Sequence, residues 1–503
     1  MTGNANLYAH FQQHFPVDLN TPLLTAADGR SVTYLQADEA SARIANCLLQ
    51  LGASRGDRIT VQVEKSVENL FLYLACLRAG LVYHPLNTAY TASELSYFLK
   101  NAEPTIVICA GDALTTIESV LPLGGVKALL TLNVDGGGTL MEQAAGASVQ
   151  ADVAESEGAE MAALLYSSGT TGQPKGIMLS HDNLRKNAQT LVEAWGFSAS
   201  DRLLHMLPIY HVHGLFVGLG CVLMSGASMV WHSRFSDKSA IAAMPDCTVM
   251  MGVPTYYTRL LANPDFGSAC CSNMRLFVSG SAPLLSETFI EFQQRTGHTI
   301  LERYGMTETG MNTSNPLVGE RRAGTVGPPL SGVTVRVVDE SGMKVTDGET
   351  GNLQVTGPNV FSGYWRMPGK TAEDFTDDGF FNTGDKATID PDGYVSIVGR
   401  AKDMIISGGL NIYPKEIELV IDDMEGINES AVIGVSDADF GESVVAVIVA
   451  SGAAPAAEIV IAHCRTQLAN FKVPKRVEVI DNLPRNAMGK VQKNLLRERF
   501  TTT

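Results

Sequence analysis

Short apolar runs alternate with helical patterns along the first 160 residues of the chain. In Ala40–Leu51 and Val67–Ala79 the apolar residues recur about every 3.6 positions, which predicts two helices with one buried face. Arg58–Val63 and Thr105–Cys109 are shorter apolar runs and predict strands. Such alternation is typical of parallel sheets covered by helices. For Gly111–Ser156, where the pattern is weak, we predict only a loose surface region.

Beyond residue 160, apolar runs repeatedly end in small or polar turns. Met161–Leu165 leads into a Gly/Ser/Thr-rich loop, and Ser180 with Asn183 predicts the start of a helix that continues through Trp195. A second helix is predicted from Pro254 to about Ala262. Four further strands with such endings are predicted within Leu203–Gly214, Cys247–Val253, Leu276–Val278 and Ile300–Arg303. Because ligands gather beyond the carboxyl ends of parallel strands, we expect the functional site there.

From about Thr325 the pattern changes to short β runs separated by Gly and Pro, at Val333–Asp339, Gly351–Thr356 and Tyr394–Val398. A compact segment with helix, strand, strand, helix patterning follows. We therefore predict an α/β protein with a large N-terminal domain of parallel-rich sheets covered by helices (residues 1–399, with a β-rich subdomain at about 325–399). A small α+β C-terminal domain (400–503) follows a boundary at Arg400–Asp403.

Length and charge narrow the class of protein. A chain of 503 residues is too long for one core and suggests two or three structural units. The 37 basic and 53 acidic residues give a net charge of −16, which argues against a nucleic-acid or anionic-membrane surface. An anionic small molecule must then be held by locally placed cations and backbone dipoles.

Cysteine spacing and the N-terminus point to the cytoplasm. The eight cysteines contain no C-x-x-C pair, so neither a zinc site nor a disulfide framework is indicated. The first ten residues lack a basic start and an apolar core, so no signal peptide is predicted. The longest apolar stretch, Leu215–Trp231, is interrupted by Gly and Ser and is too short for a membrane span.

The segment Tyr166–Gly176 (YSSGTTGQPKG) is the strongest functional signal. Glycines let the backbone approach a ligand, successive N–H groups can form an anion-binding concavity, and Lys175 adds a point charge. These properties suit a polyphosphate. The spacing matches neither a Walker loop nor a G-x-G-x-x-G dinucleotide fingerprint.

Five motifs in this order make the chain resemble the acyl-CoA synthetases of the adenylate-forming superfamily. They are Tyr166–Gly176, Tyr304–Thr309, Thr383–Asp385, Gly399–Glu418 and Pro484–Lys490. The resemblance covers nearly the full length and implies a mobile C-terminal domain and a two-step ligase reaction. A carboxylate first attacks the α-phosphorus of ATP and releases pyrophosphate, and a thiol then attacks the acyl-adenylate.

The resemblance also implies the sites for ATP, Mg²⁺ and coenzyme A. Thr170 and Glu308 would hold the metal, and Asp385 with Arg400 would bind the ribose. Lys490 would bridge the carboxylate and the α-phosphate, and Lys402 would be the hinge between the two half-reactions. The residues implied for nucleotide and coenzyme A binding are Ser167, Ser168, Gly169, Thr170, Thr171, Gly172, Lys175, Ser279, Gly280, Ser281, Ala282, Arg303, Tyr304, Gly305, Met306, Thr307, Asp385, Arg400, Lys402, Gly408 and Gly409.

The acid pocket separates this chain from fatty-acid and aromatic-acid relatives. His211 lies where the family has an aromatic or His gate beside the carboxylate, and the resemblance also assigns Met306 to the acid. Arg259 falls on a helix that lines the pocket in relatives, and a cation there suggests a second carboxylate, as in the malonyl-CoA synthetases. Arg275 is a weaker candidate. Gln173 occupies a position that some malonyl-CoA synthetases fill with Arg, so this chain departs from them there and no cation is expected at that position.

The resulting hypothesis is an AMP-forming ligase for a short dicarboxylate, malonate first and methylmalonate second, with no nucleic-acid or membrane partner. A ligase for short or medium monocarboxylates is the nearest alternative. A stand-alone enzyme that loads a carrier protein is another, although no carrier segment is attached. An ATP-binding regulator without catalysis would lack Lys490 or the threonines, and both are present.

Overall fold

The structure is a computed structural model that describes residues 3–122, 124–167, 174–407, 410–437, 441–468, 470–486 and 489–501. The helices are α1 Leu7–Gln12, α2 Tyr34–Gln50, α3 Val67–Arg78, α4 Ala92–Ala102, α5 Leu114–Val120, α6 Thr139–Ala144, α7 His181–Trp195, α8 Leu219–Leu223, α9 Asp237–Ala243, α10 Pro254–Ala262, α11 Ser286–Thr296, α12 Pro368–Asp374, α13 Pro414–Asp422, α14 Ala457–Gln467 and α15 Lys493–Thr501. Among the described residues, no helix is both long and apolar enough to cross a membrane.

The strands fall into two large and two small sheets. They are β1 Pro22–Ala26, β2 Ser31–Thr33, β3 Arg58–Gln62, β4 Val82–Pro85, β5 Ile106–Cys109, β6 Ala128–Thr131, β7 Met161–Tyr166, β8 Gly176–Ser180, β9 Arg202–His205, β10 Ser228–Trp231, β11 Val249–Gly252, β12 Leu276–Ser279, β13 Ile300–Met306, β14 Gly310–Ser314, β15 Thr334–Val338, β16 Gly351–Thr356, β17 Phe381–Ile389, β18 Val395–Arg400, β19 Ile405–Ser407, β20 Leu410–Ile412, β21 Ile427–Asp437, β22 Gly441–Ala450 and β23 Arg476–Val479.

The two large sheets are mostly parallel, which confirms the predicted fold class. The first has the order β6-β5-β3-β4-β7-β8, and only β8 runs antiparallel to its neighbour. The second has the order β14-β13-β12-β11-β9-β10-β1-β2, with antiparallel strands only at its two edges. Every residue of α3 is buried, and α3 belongs to a single apolar core that also includes residues of both sheets.

The two small sheets follow in chain order. Strands β15–β18 form an antiparallel sheet, and Ala401–Asp403 then make one 3₁₀ turn. The last sheet, β20-β19-β22-β21 with β23 parallel to β22, packs with α13 and α14 around its own apolar cluster. The helix, strand, strand, helix order predicted for the C-terminus corresponds to α13, β21, β22 and α14.

Local signals located the long elements well. The predicted helix after Ser180 is confirmed, because the Ser180 side chain accepts from the Asn183 N–H and the Asn183 side chain accepts from the Ser180 N–H. The prediction of a loose region at Gly111–Ser156 was wrong. That region contains α5, α6 and β6, which pairs with β5 in the first large sheet. These elements have four to seven residues, too few to display a clear period.

Candidate active site

The carboxyl ends of four adjacent parallel strands bring the predicted motifs together. Strands β9, β11, β12 and β13 are hydrogen-bonded neighbours and run in the same direction. The turn that carries His211 and His213, called the histidine turn below, follows β9, and α10 follows β11. The Ser279–Ala282 turn stands at the end of β12, and the Tyr304 motif ends β13. This edge of the second large sheet forms the floor of the candidate site.

The ends of the glycine-rich loop are held together at its base. The Ser167 N–H donates to the Lys175 carbonyl at 3.0 Å, and the Lys175 N–H donates to Ser167 Oγ at 3.0 Å. Residues Ser168, Gly169, Thr170, Thr171, Gly172 and Gln173 lie outside the described residues. The Lys175 ammonium donates to the Tyr364 hydroxyl at 3.0 Å, lies 4.0 Å from the centroid of that ring, and is 3.3 Å from Asp374 Oδ2.

A buried carboxylate occupies the position predicted for ribose binding. Asp385 is 4% exposed on β17, and its Oδ1 lies 2.8 Å from Nε of Arg400 on β18. Its other oxygen accepts a hydrogen bond from the Tyr304 hydroxyl. Burial and the Asp385 carboxylate raise the pKa of Tyr304, so this phenol remains a donor. Each carboxylate oxygen has a second lone-pair direction, which leaves acceptors for two hydroxyls.

Arg303 lies in the protein interior beside the Ser279–Ala282 turn. It is 3% exposed, and a Cβ added to Gly280 would lie 2.5 Å from its Cζ, so only glycine leaves room for the guanidinium. Among the described residues, neither Nε nor Nη2 of Arg303 has a hydrogen-bond partner. Burial lowers the pKa of Arg303 to about 10, so the group is still charged at neutral pH.

A cleft lies between the histidine turn and the Ser279–Ala282 turn. Its lining includes Pro208, Tyr210, His211, His213, Val253, Ser281 and Lys490. Ser281 has φ +72°, which turns the chain sharply at the cleft wall, and its hydroxyl lies 3.4 Å from Nδ1 of His213. Lys490 comes from the C-terminal segment, so the cleft is completed by distant parts of the chain.

Both histidines of the cleft are neutral at pH 7. Burial, Lys490 and Arg303 lower the pKa of His211 to about 3, and burial and Arg303 lower the pKa of His213 well below its usual range. Nδ1 of His211 accepts from the His213 N–H at 3.4 Å, which places the proton of the neutral ring on Nε2. His211 is therefore arranged as a hydrogen-bond donor for an anion. No group of three metal-binding side chains occurs among the residues that the structure describes.

Glu308, at the turn that follows β13, is a buried carboxylate. Burial raises its pKa, and the charges of Arg400, Lys175 and Lys490 oppose that rise. In the described part of the chain, no lysine or arginine nitrogen lies within 4.0 Å of its oxygens. A carboxylate that is near several cations but paired with none fits a Mg²⁺ ion that keeps most of its waters and binds phosphate oxygens.

Two C-terminal lysines, Lys490 and Lys402, lie near Arg400. Lys490 is exposed over much of its length, but its ammonium end reaches the cleft, where burial and Arg400 lower its pKa. Burial and Arg400 also lower the pKa of Lys402, which stands in the 3₁₀ turn after β18. Asp403 in the same turn accepts from Arg497 Nη2 at 3.0 Å. Gly408 and Gly409 lie outside the described residues.

The candidate arginines for the acid lie in three different environments. Arg259 is exposed in the last turn of α10, near Tyr256. Arg275 donates to both oxygens of Asp201 at 2.7 and 2.8 Å and to the carbonyls of Trp195 and Gly196. These bonds occupy the Arg275 guanidinium, and Arg275 is not among the residues that line the cleft. Arg303, which the sequence assigned to the nucleotide, is buried; it is not among the residues that line the cleft, but its charge lowers the pKa of both cleft histidines.

The remaining predicted residues stand around the Tyr304 turn. Gly305 is required there, because a Cβ would lie 2.1 Å from the Gly310 carbonyl oxygen across the β13–β14 hairpin. Met306 is half-buried with its sulfur 4.0 Å from the Tyr304 hydroxyl, and Thr307 lines a separate small cavity behind Val212. Sequence reasoning missed Tyr364 and Asp374 as partners of Lys175. The G-Y-W segment around Tyr364 was the available signal.

Comparisons with known proteins agree with this geometry. Residues 11–365 match the AMP-binding enzyme family, and residues 416–490 match the AMP-binding enzyme C-terminal domain. ATP-bound MatB from Rhodopseudomonas palustris is 50% identical, with a TM-score of 0.97 and 99% of each chain covered.

Two curated relatives carry different substrate names. The malonate–CoA ligase of Arabidopsis thaliana is 32% identical over 94% of this chain and 85% of its own length. The feruloyl-CoA synthase of an Amycolatopsis species is 35% identical over 94% of both chains. The overall sequence identity therefore does not distinguish which acid this chain uses, whereas the two domain matches do show its family. The chain belongs to the AMP-binding enzyme family and is an AMP-forming acid–CoA ligase.

Proposed function

We propose that the chain makes malonyl-CoA from malonate, ATP and coenzyme A through a malonyl-adenylate. The observation that carries the choice of acid is the unpartnered edge of Arg303. Nε and Nη2 form the edge of a guanidinium that binds a carboxylate through two parallel hydrogen bonds. A buried cation without a partner is costly, and a ligand carboxylate would remove that cost.

The charge around the cleft supports an acid with two carboxylates. One carboxylate must meet the α-phosphate beside Lys490, which lines the cleft. The other needs a second cation, and Arg303 is close enough to His211 and His213 to lower the pKa of both. A monocarboxylate would leave Arg303 unpaired in a dry interior. Arg259, the assignment made from sequence, is the alternative partner and is exposed.

The first half-reaction forms a bond between a malonate oxygen and the α-phosphorus and breaks the bond to pyrophosphate. Lys490 would stabilise the negative charge that develops between the two reactants. Asp385 and Arg400 would fix the ribose, and Lys175 would exchange Asp374 for phosphate oxygens. Glu308 would hold Mg²⁺, which supplies charge neutralisation on the polyphosphate.

In the second half-reaction the thiol of coenzyme A attacks the malonyl carbonyl and AMP leaves with the electron pair of the broken C–O bond. Lys402 is at the turn between β18 and β19, where a rotation of the C-terminal segment would exchange Lys490 for the thiol. Methylmalonate adds only one methyl group beside the same two carboxylates, so we include it as a second substrate.

Pyrophosphate release by the purified protein with malonate, methylmalonate, butyrate and ferulate tests the acid. We expect malonate to have the highest kcat/KM, with methylmalonate next. Exchange of labelled pyrophosphate into ATP that needs malonate but not coenzyme A tests the adenylate. A preference for butyrate or ferulate would refute the dicarboxylate assignment. Thioester formation on a carrier protein but not on coenzyme A would favour the carrier-loading alternative.

A further inference from the structure

Lys65 is a buried lysine that none of the steps above uses. It is 5% exposed, between the end of β3 and the N-cap residue of α3. Its Nζ lies 2.8 Å from Nδ1 of His205 and 2.9 Å from the His205 carbonyl oxygen, and it is 4.1 Å from the centroid of the Trp231 ring. Among the described residues, no carboxylate oxygen lies within 4.0 Å of it.

His205 continues the contact toward the acid cleft. Its Nε2 lies 3.0 Å from the Gly214 carbonyl oxygen, which can only accept, so Nε2 carries the proton. Nδ1 must then be the acceptor, and Lys65 is the donor. The two partners together determine one tautomer of this buried, neutral imidazole. Burial and the nearby Lys65 hold the pKa of His205 well below its usual range.

The segment held by this chain of hydrogen bonds is the one that carries the cleft histidines. Gly214 lies directly after His213, at the start of a single π-helical segment, His213–Gly218. A Cβ on Gly214 would lie 2.1 Å from the Pro208 carbonyl oxygen, and one on Gly218 would lie 3.1 Å from Nε2 of His205. The turn is therefore folded tightly on itself and against the His205 ring.

Lys65 also joins two sheets. It follows β3 of the first large sheet, whereas His205 and Trp231 are opposite residues on β9 and β10 of the second. A methionine or leucine would fill the same space but would leave Nδ1 and the carbonyl oxygen of His205 without the donor that Lys65 supplies. The lysine is therefore tied to the state of the His205 ring.

We propose that Lys65 is a positioning residue that acts through His205 to hold the His211–Gly214 turn in the shape that binds the acid. This inference rests on the proposed function only in that it needs an acid to bind in this cleft. Loss of the Lys65 donor frees the His205 ring to turn, Gly214 loses its donor, and the two cleft histidines lose their fixed positions.

The test compares Lys65→Met, His205→Leu and His205→Gln in the full-length protein, each with the acid that the wild type uses best. We expect Lys65→Met and His205→Leu to raise the KM for that acid at least about tenfold, with the KM for ATP within about twofold. The double variant should resemble His205→Leu alone, because both residues act in one chain of contacts. His205→Gln keeps an N–H for Gly214 and should recover most of the affinity.

Arg78→Met is the matched control, because it removes a buried cation at the other end of α3. It should lower the melting temperature and leave both KM values unchanged. Parallel changes of both KM values in Lys65→Met, or no change in either, would overturn the proposal, as would additive losses in the double variant. If the wild-type protein prefers butyrate, the malonate assignment is refuted. The role of Lys65 is still tested, because the KM values of all variants are then compared with butyrate as the acid.

Discussion

Nε of Arg400 lies 2.8 Å from Oδ1 of Asp385, and the two residues are opposite each other in the β17–β18 pairing. Tyr304 from the second large sheet donates to the other oxygen of the same carboxylate. Asp385 thus joins the antiparallel subdomain to the strand that ends at the active site. This pairing leaves the remaining lone pairs of the Asp385 carboxylate as acceptors, which is the arrangement that ribose binding would need.

Asp385→Asn should raise the KM for ATP. The amide keeps the shape but loses the charge, and hydrogen bonds to charged groups contribute about 1.5–3 kcal/mol each. We expect an increase of roughly ten- to a hundredfold in steady-state pyrophosphate release. Asp378→Asn, an exposed carboxylate of the same subdomain that pairs with Arg336, is the control. A KM within about twofold of the parent would contradict ribose binding by Asp385.

Lys490→Ala should nearly abolish adenylate formation and leave thioester formation from supplied acyl-adenylate largely intact. The ammonium group is needed where the carboxylate meets the α-phosphate, and oriented stabilisation of that kind is worth about 3–4 kcal/mol. The two half-reactions are measured separately, by pyrophosphate exchange and by thioester yield. The exposed Lys344→Ala is the control. Equal losses in both steps would show that the role assigned to Lys490 is wrong.

Lys402→Pro should impair one half-reaction more than the other. Proline restricts φ to about −65° and so limits rotation at the turn between β18 and β19. Lys402→Ala removes the same charge without restricting the backbone and separates the two effects. If the proline variant performs both steps as well as the alanine variant does, the turn is not a hinge.

Arg303→Met should depress kcat/KM for malonate steeply while butyrate holds steady or improves. Loss of one partner of a buried ion pair costs about 3–5 kcal/mol, or roughly two to four powers of ten. Methionine retains most of the length beside Gly280. Arg259→Leu is the comparison variant, and a loss of malonate activity above about threefold there would favour the assignment made from sequence. Unchanged malonate kinetics in both variants would remove the dicarboxylate argument.

Glu302→Gln should change how stability depends on pH. Burial raises the pKa of Glu302 from 4.5 to about 7, and the charge of Lys415 opposes the rise. Between those pH values the folded protein holds a proton that the unfolded chain has released, so this group lowers stability as pH increases through the window. At pH 8 the resulting loss in the free energy of unfolding is at most about 3 kcal/mol.

Glutamine keeps an acceptor for the Leu284 N–H, which donates to Glu302 Oε1 at 3.0 Å. The melting temperature of Glu302→Gln should therefore rise relative to that of the wild type as the pH increases from 5 to 8. The exposed Glu425→Gln should show no such pH-dependent gain. A constant difference across that range would show that Glu302 does not titrate there.

Several helices and strands of this protein, and its family, could be predicted from residues that are close together in the sequence. The start of α7 depends on Ser180 and Asn183, three positions apart, and the strands β3, β5 and β16 were located from short apolar runs. The five motifs were sufficient to identify the family, because each is a contiguous stretch. Caps, periodicity and turn chemistry act within a few residues and do not require knowledge of the fold.

The partners of individual side chains were decided by the tertiary structure. Arg275 pairs with Asp201, 74 positions away, and Lys65 donates to His205, 140 positions away, because strand order brings these segments together. Arg303 follows Glu302 in β13, yet only the approach of the Gly280 turn makes it a buried cation whose charge reaches His211 and His213. Burial and the identity of the opposing group set the charge state and the available hydrogen bonds of a side chain, and neither is encoded in its neighbours along the chain.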